Sequence, residues 1–112
     1  MPVTTPRFHR LAVADRRQET ADTVSIAFAV PATLARAYRF QPGQYLTLRA
    51  DLGGEDVRRS YSLCSTPDEG EWRVAIKRVA GGAFSSFAHG TLRPGSAIDV
   101  MTPAGRFTRR ID

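Results

Sequence analysis

The sequence predicts an all-β domain, a six-stranded antiparallel Greek-key barrel with one short capping helix. Three observations carry that expectation. Thr23 to Val30 alternates strictly, with Val24, Ile26, Phe28 and Val30 on one face, as a half-buried strand does. Five further stretches alternate more weakly between turn-rich separators, which favours antiparallel pairing. In a chain of only 112 residues, closure into a barrel is the simplest way to hide the sheet edges.

The elements follow in order. Phe8 to Ala14 is the first expected strand and Thr23 to Val30 the second, followed by a short helical piece from Ala32 to Ala37 after Pro31. Gln41-Pro42-Gly43-Gln44 is a Pro-Gly turn leading into a third strand, Tyr45 to Arg49. Asp51 to Asp56, with Gly53-Gly54 inside it, reads as a hairpin loop between that strand and a fourth, Val57 to Leu63. The fifth strand is Trp72 to Val79. A helix from Phe84 to Leu92 comes after Gly81-Gly82, with serines suited to capping its first turn. Arg93-Pro94-Gly95-Ser96 is a second Pro-Gly turn, Ala97 to Met101 the sixth strand, and Arg106 to Asp112 the start of an exit linker.

Length and composition narrow the function. The chain fits one domain spanning residues 1–112. It has no apolar run approaching the ~20 residues of a membrane span, so neither a membrane nor a secretory route is expected, and the cytoplasm is the default location. Cys64 is the single cysteine, and with only His9 and His89 beside it there is no ligand set for zinc or an iron–sulfur cluster. Any redox role then needs a borrowed cofactor. A net charge of +5 favours acidic partners without choosing among them, and the arginines are scattered, as on a solvated basic surface. Asp51, Glu55, Asp56, Asp68, Glu69 and Glu71 fall in turn regions, where solubility accounts for them.

The chemistry concentrates in Arg58-Arg59-Ser60-Tyr61-Ser62-Leu63 on the fourth strand. Alternation sends Arg59 and Tyr61 to one face and Ser60 and Ser62 to the other. A kink, or a ligand lying along the strand and around its end, is needed for them to act together. A guanidinium suits phosphate, a phenol ring a flat heterocycle, and a hydroxyl a ring heteroatom. Lys77 to Ser86 is a strand ending in glycines that opens a helix; backbone amides at such a start attract anions, with Ser85 adding a hydroxyl. Cys64 directly follows the arginine-tyrosine segment and is expected to be buried and inert. No residue is expected to be catalytic.

With Pro42-Gly43-Gln44-Tyr45 upstream and Pro103-Ala104-Gly105-Arg106-Phe107 downstream, these pieces resemble, in order and spacing, the flavin domain of the ferredoxin-NADP reductase superfamily. Within it, Phe8 to Leu11, Ala37 to Gln44, Arg58 to Leu63 and Gly81 to Ser85 look like the reductase subunits of the bacterial phenylacetyl-CoA epoxidase (oxygenase) family. The resemblance implies FAD, with FMN less favoured. Arg59 would meet flavin phosphate, Tyr61 pack on the isoalloxazine, and Ser60 and Ser62 lie beside it, with Ser62 near the reactive nitrogen. Backbone at Ile76 and Lys77 would run past the cofactor, and Gly82 and Ser85 would hold phosphate. It also implies that NAD(P)H and a 2Fe-2S cluster belong to other domains of a longer reductase, of which this is an N-terminal fragment, and that an oxygenase component receives the electrons. Some relatives stack an aromatic on adenine just after the Lys77 strand; Val79 to Gly81 offers none. The rival reading is an oligonucleotide-binding barrel, suggested by size, basic charge and the aromatics Tyr45, Tyr61 and Trp72.

Overall fold

The computed structural model describes residues 7–105. The strands are β1 (Phe8–Thr20), β2 (Thr23–Ala29), β3 (Tyr45–Leu52), β4 (Glu55–Ser62), β5 (Trp72–Lys77) and β6 (Ala97–Met101), with one helix, α1 (Ala83–Thr91), and two 3₁₀ turns, Ala32–Leu34 and Pro67–Glu69. All pairings are antiparallel, in the order β4-β3-β6-β1-β2-β5. β3 and β4 form a hairpin, β5 follows along the far edge, and β6 returns to lie beside β3, a Greek-key connection. The expected all-β architecture and its six strands are present. The piece expected to be helical from Ala32 to Ala37 is one 3₁₀ turn, and the proposed exit linker from Arg106 lies outside the described residues.

The barrel does not close as expected. β4 and β5, the two edges of the sheet, meet only just beyond β4, where Leu63 bridges Val74 and the Cys64 N–H donates to the Arg73 carbonyl at 2.8 Å. Beyond that bridge the seam is open and α1 packs across it, burying Phe84, Ala88 and Leu92. The helix thus replaces hydrogen bonding between the edges with apolar burial.

Inside the sheet, Val24, Ile26 and Phe28 face inward with Leu11, Val13, Leu46, Leu48, Val74, Ile76 and Val100, all almost fully buried. Each such side chain contributes about 1.5–3 kcal/mol relative to exposure. Tyr38 is also buried. Its hydroxyl donates to the Val100 carbonyl at 2.6 Å, while Trp72 Nε1 donates to the Tyr38 carbonyl at 2.7 Å. Burial pushes the Tyr38 phenol up to about 12, so it remains a donor. The β3–β4 turn uses Gly53 and Gly54 at φ of 65° and 89°, the left-handed pair a tight two-residue hairpin requires. The Tyr45 ring lies against Gly105, where an added Cβ would stand 2.7 Å from the ring.

β1 runs on to Thr20, past the Ala14 end that its sequence pattern indicates, and a bulge explains why. Val13 pairs with Phe28 and Asp15 with Ala27, leaving Ala14 as an extra residue. The side-chain alternation is therefore reversed beyond it. Asp15 turns outward and reaches Arg73; Arg16, opposite the buried Ile26, turns inward toward α1.

Arg73 is 5% exposed, unlike the solvated surface expected for the arginines. Its guanidinium donates to both Glu71 carboxylate oxygens at 3.0 and 3.1 Å, to Ser25 Oγ at 2.7 Å and to Asp15, and Ser25 in turn donates to Glu19 at 2.7 Å. Glu71 therefore has a structural task beyond solubility. The hydrogen bond from Arg73 holds the carboxyl groups of Asp15 and Glu71 below their ordinary values of 3.8 and 4.5. Groups with lowered folded-state values stabilise the fold above their unfolded values, and that contribution disappears as pH falls through the folded ones. We predict that Arg73→Met costs about 2 kcal/mol at neutral pH. The mutant's penalty should shrink as pH falls below about 4. Thermal melts of both proteins across that range check this, and a penalty independent of pH would separate Arg73 from the two carboxylates.

Candidate functional site

β4 is regular throughout: its pairing with β3 runs from Glu55 opposite Leu52 to Ser62 opposite Tyr45 without interruption. The strand has no kink, and Arg59 and Tyr61 indeed share one face while Ser60 and Ser62 share the other. What brings them together is the position of β4 at the sheet edge. The Leu63 N–H donates across to the Gln44 carbonyl at 2.9 Å, so by alternation Tyr61 and Arg59 also point their backbone groups at β3, whereas those of Ser62, Ser60 and Arg58 point into the seam. On the facing edge, the bond from Cys64 to the Arg73 carbonyl directs the backbone of Arg73, Ala75 and Lys77 the same way. A ligand lying along this edge can reach side chains from both faces and main-chain groups between them.

The side chains are available. Arg59, Ser60 and Ser62 are exposed. The Arg59 guanidinium donates only to the Arg58 carbonyl, at 2.7 Å, among the described residues, and it makes no ion pair there. Arg58, by contrast, is engaged on the other face, donating twice to Asp56 at 3.1 Å and lying 5.2 Å from the centre of the Phe8 ring. Tyr61 is half-buried, its ring centroid 6.0 Å from that of Phe84 at the start of α1. Burial raises the Tyr61 phenol, with nearby Arg59 opposing. Ser60 and Thr47 hydroxyls are 2.8 Å apart. Ile76 is fully buried and Lys77 exposed.

At the start of α1 the local structure differs from the simple serine cap expected. Gly82 is the N-cap, with no side chain capping the helix. The Ser85 hydroxyl is buried and accepts the Val79 N–H at 3.0 Å, closing the loop that leads into the helix. Gly82 is needed by that closure: an added Cβ would lie 2.9 Å from Ser85 Oγ and 3.0 Å from the Val79 carbonyl. The Ser86 N–H bonds the Gly82 carbonyl at 3.1 Å, which leaves the N–H groups of Ala83, Phe84 and Ser85 as the free donors of the first turn.

Other candidates resolve as structural. Cys64 is exposed rather than buried; its thiol donates to the Arg73 carbonyl at 3.4 Å, and partial desolvation raises its pKa, keeping it protonated. His9 packs edge-on to Tyr38 at 5.8 Å between centroids, and His89 Nε2 lies 2.9 Å from the Ile76 carbonyl. Among the described residues no group of His, Cys, Asp and Glu could hold a metal ion, and no helix is long and apolar enough to cross a membrane. The aromatics of the oligonucleotide reading do not form one stacking surface: Trp72 is tied to Tyr38, Tyr45 covers Gly105, and Tyr61 abuts Phe84. A cleft of about 650 Å³ is lined by Arg10, Arg49, Asp99 and Phe87 among others and includes none of the predicted site residues.

An edge with phosphate-suited donors, an aromatic platform and adjacent hydroxyls has the chemistry to hold a flavin nucleotide, and comparison with known proteins agrees. The oxidoreductase FAD-binding domain family matches residues 10–108. The chain is 50% identical over 100 residues to a component of the 1,2-phenylacetyl-CoA epoxidase of Escherichia coli K12, covering 89% of this chain and 28% of that protein. It is 42% identical over 101 residues to the ferredoxin reductase component of 3-ketosteroid-9-alpha-monooxygenase from Rhodococcus rhodochrous, covering 88% and 28%. The chain thus spans little more than a quarter of the length of these relatives. Among solved structures, the FAD/NAD-binding domain of nitric oxide dioxygenase from Vibrio cholerae superposes with a TM-score of 0.75 at 28% identity, covering 92% of this chain and 46% of that one. This chain belongs to the FAD-binding domain family of the ferredoxin-reductase-type oxidoreductases.

Proposed function

We propose that this domain holds FAD along the open β4–β5 seam and serves as the electron-transfer module of an NAD(P)H-dependent reductase. The observation that carries the reading is the edge position of β4, which presents Arg59, Ser60, Tyr61 and Ser62 together with unpaired backbone. Arg59 and the free N–H groups of Ala83 to Ser85 neutralise the diphosphate. Gly82 and Ser85 act there by holding the loop that positions those donors. Tyr61, braced by Phe84, presents its ring to the flat heterocycle. Ser62 offers a hydroxyl and a main-chain N–H at the seam, and on the opposite wall Lys77 turns its backbone groups to the seam while the neighbouring Ile76 pairs with Val24 of β2. The cofactor, when bound, supplies hydride acceptance and one-electron release, which no side chain here provides.

Arg59, Ser60, Ser62 and Lys77 are exposed, and clefts that bury a cofactor commonly form between domains. The partners proposed are therefore a nicotinamide-binding domain and a 2Fe-2S domain of the same reductase, beyond the stretch these relatives share with this chain. An oxygenase component is the electron acceptor, with phenylacetyl-CoA epoxidation favoured by the 50% identity to the Escherichia coli protein. A cytoplasmic setting fits a nicotinamide donor.

The direct test is the visible spectrum of the purified 112-residue chain mixed with FAD and passed through a desalting column. A retained yellow chromophore supports the reading, and a colourless protein that has kept its fold overturns it. Arg59 and Arg58 supply an internal comparison, one facing the site and one paired with Asp56. Arg59→Ala should weaken FAD roughly tenfold to a hundredfold, while Arg58→Ala changes little and riboflavin, lacking phosphate, responds to neither. Equal loss of riboflavin and FAD in Arg59→Ala would remove the arginine from the phosphate site.

The two tyrosines separate stacking from folding. Tyr61→Ala should weaken FAD by about three- to tenfold, as expected for loss of an aromatic contact. Tyr45→Ala, which uncovers Gly105, should lower the melting temperature and leave flavin affinity near wild type. Titration of each apo-protein followed by a melt measures both quantities.

A further inference from the structure

α1 is nine residues long, shorter than helices that persist on their own in water, and it carries Gly90 and Thr91 in its last turn. Its first turn provides the phosphate donors of the proposed site, so whatever fixes the helix against the sheet also fixes those donors. Two arginines bind its carboxyl end, and they differ in kind. Arg93 is exposed, sits just beyond the helix, and donates to the Gly90 carbonyl at 2.6 Å and the Thr91 carbonyl at 3.3 Å. Being part of the same local segment, it caps the helix without tying it to anything else.

Arg16 comes from β1, at the far end of the sequence. Its guanidinium donates to the Leu92 carbonyl at 2.6 Å, the His89 carbonyl at 2.7 Å and the Ala88 carbonyl at 3.2 Å. Three terminal carbonyls are thus met by one rigid fork, and a cation at a helix carboxyl end is favourable in itself. The fork stands where β1 is paired with β2, Arg16 lying opposite the buried Ile26, and it faces α1 only because the bulge at Ala14 reverses the alternation. His89 adds a second tie to the sheet through the Ile76 carbonyl.

We infer that Arg16 is a positioning residue for the flavin phosphate: by clamping the carboxyl end of α1 to β1 it holds the amino-terminal N–H groups of the same helix in register with Arg59 across the seam. The inference rests on the proposed FAD site. Arg16 touches no ligand. Without the clamp the short helix pivots about the packing of Phe84 beside Tyr61, so the direction of the Ala83 to Ser85 N–H groups changes while the ring platform persists.

The test compares Arg16→Gln, Arg16→Lys and Arg93→Gln, measuring Kd for FAD and for riboflavin by quenching of flavin fluorescence and the melting temperature of each apo-protein. Arg16→Gln should weaken FAD on the order of tenfold, with riboflavin within about twofold of wild type. Arg16→Lys, which keeps the charge but not the three-way fork, should fall between the two. Arg93→Gln should leave the FAD-to-riboflavin ratio at its wild-type value, because it caps the helix without anchoring it. Proportional losses of FAD and riboflavin in the Arg16 variants, an unchanged ratio, or an Arg93→Gln effect equal to that of Arg16→Gln would each overturn the positioning role. If Arg16→Gln does not fold, the ratio in Arg16→Lys decides. Absence of FAD binding by the wild-type chain would instead overturn the site itself.

Discussion

The architecture depends on one extra residue in β1. An uninterrupted strand would carry the pattern of Leu11 and Val13 onward, turning Asp15 inward and Arg16 outward. The bulge at Ala14 reverses both. Asp15 then joins Arg73 on the outer surface of β2 and β5, and Arg16 reaches beneath α1 to its terminal carbonyls. Two charged groups that a regular strand would leave misplaced become the ties that hold β5, one edge of the seam, and the helix that packs across it.

The seam is the second organising feature, and it exists because the sheet does not close. A closed barrel would pair the edge backbone of β4 and consume the groups that the proposed FAD site uses. Here the edges meet just beyond β4, at the bridge between Leu63 and Val74, and α1 covers the remaining gap with Phe84, Ala88 and Leu92. An exposed edge is ordinarily a hazard for unwanted pairing. In this domain it is short, flanked by arginine and lysine, and shielded at one end by the helix. The same opening that requires protection is where we propose that the planar, anionic cofactor lies.

At the helix start the fold uses the residues of a local sequence signal in a different way from the one their types suggest. Glycine and serine at positions 82 and 85 suggest a phosphate loop with a hydroxyl donor. In the folded chain Ser85 accepts the Val79 N–H, and Gly82 makes room for that contact. The loop is thereby locked, and main-chain N–H groups remain for an anion. Cys64, expected to be a buried and inert thiol, is instead exposed, and the thiol donates to the Arg73 carbonyl.

What the sequence determined by itself is local. Alternation located the six strands, Pro-Gly and Gly-Gly pairs located the turns, and the order of Arg59, Tyr61, Ser62, Gly82 and Ser85 pointed to a flavin-type site, because each signal resides in neighbouring residues. The end of β1 was lost at Ala14, where the bulge breaks the two-residue period on which such reading relies. The burial of Arg73, the reach of Arg16, the open seam and the edge position of β4 were decided by tertiary structure. Each depends on partners distant in the chain, Asp15 for Arg73, Leu92 for Arg16 and Val74 for Leu63, and no local pattern records which distant strand or carbonyl will lie opposite.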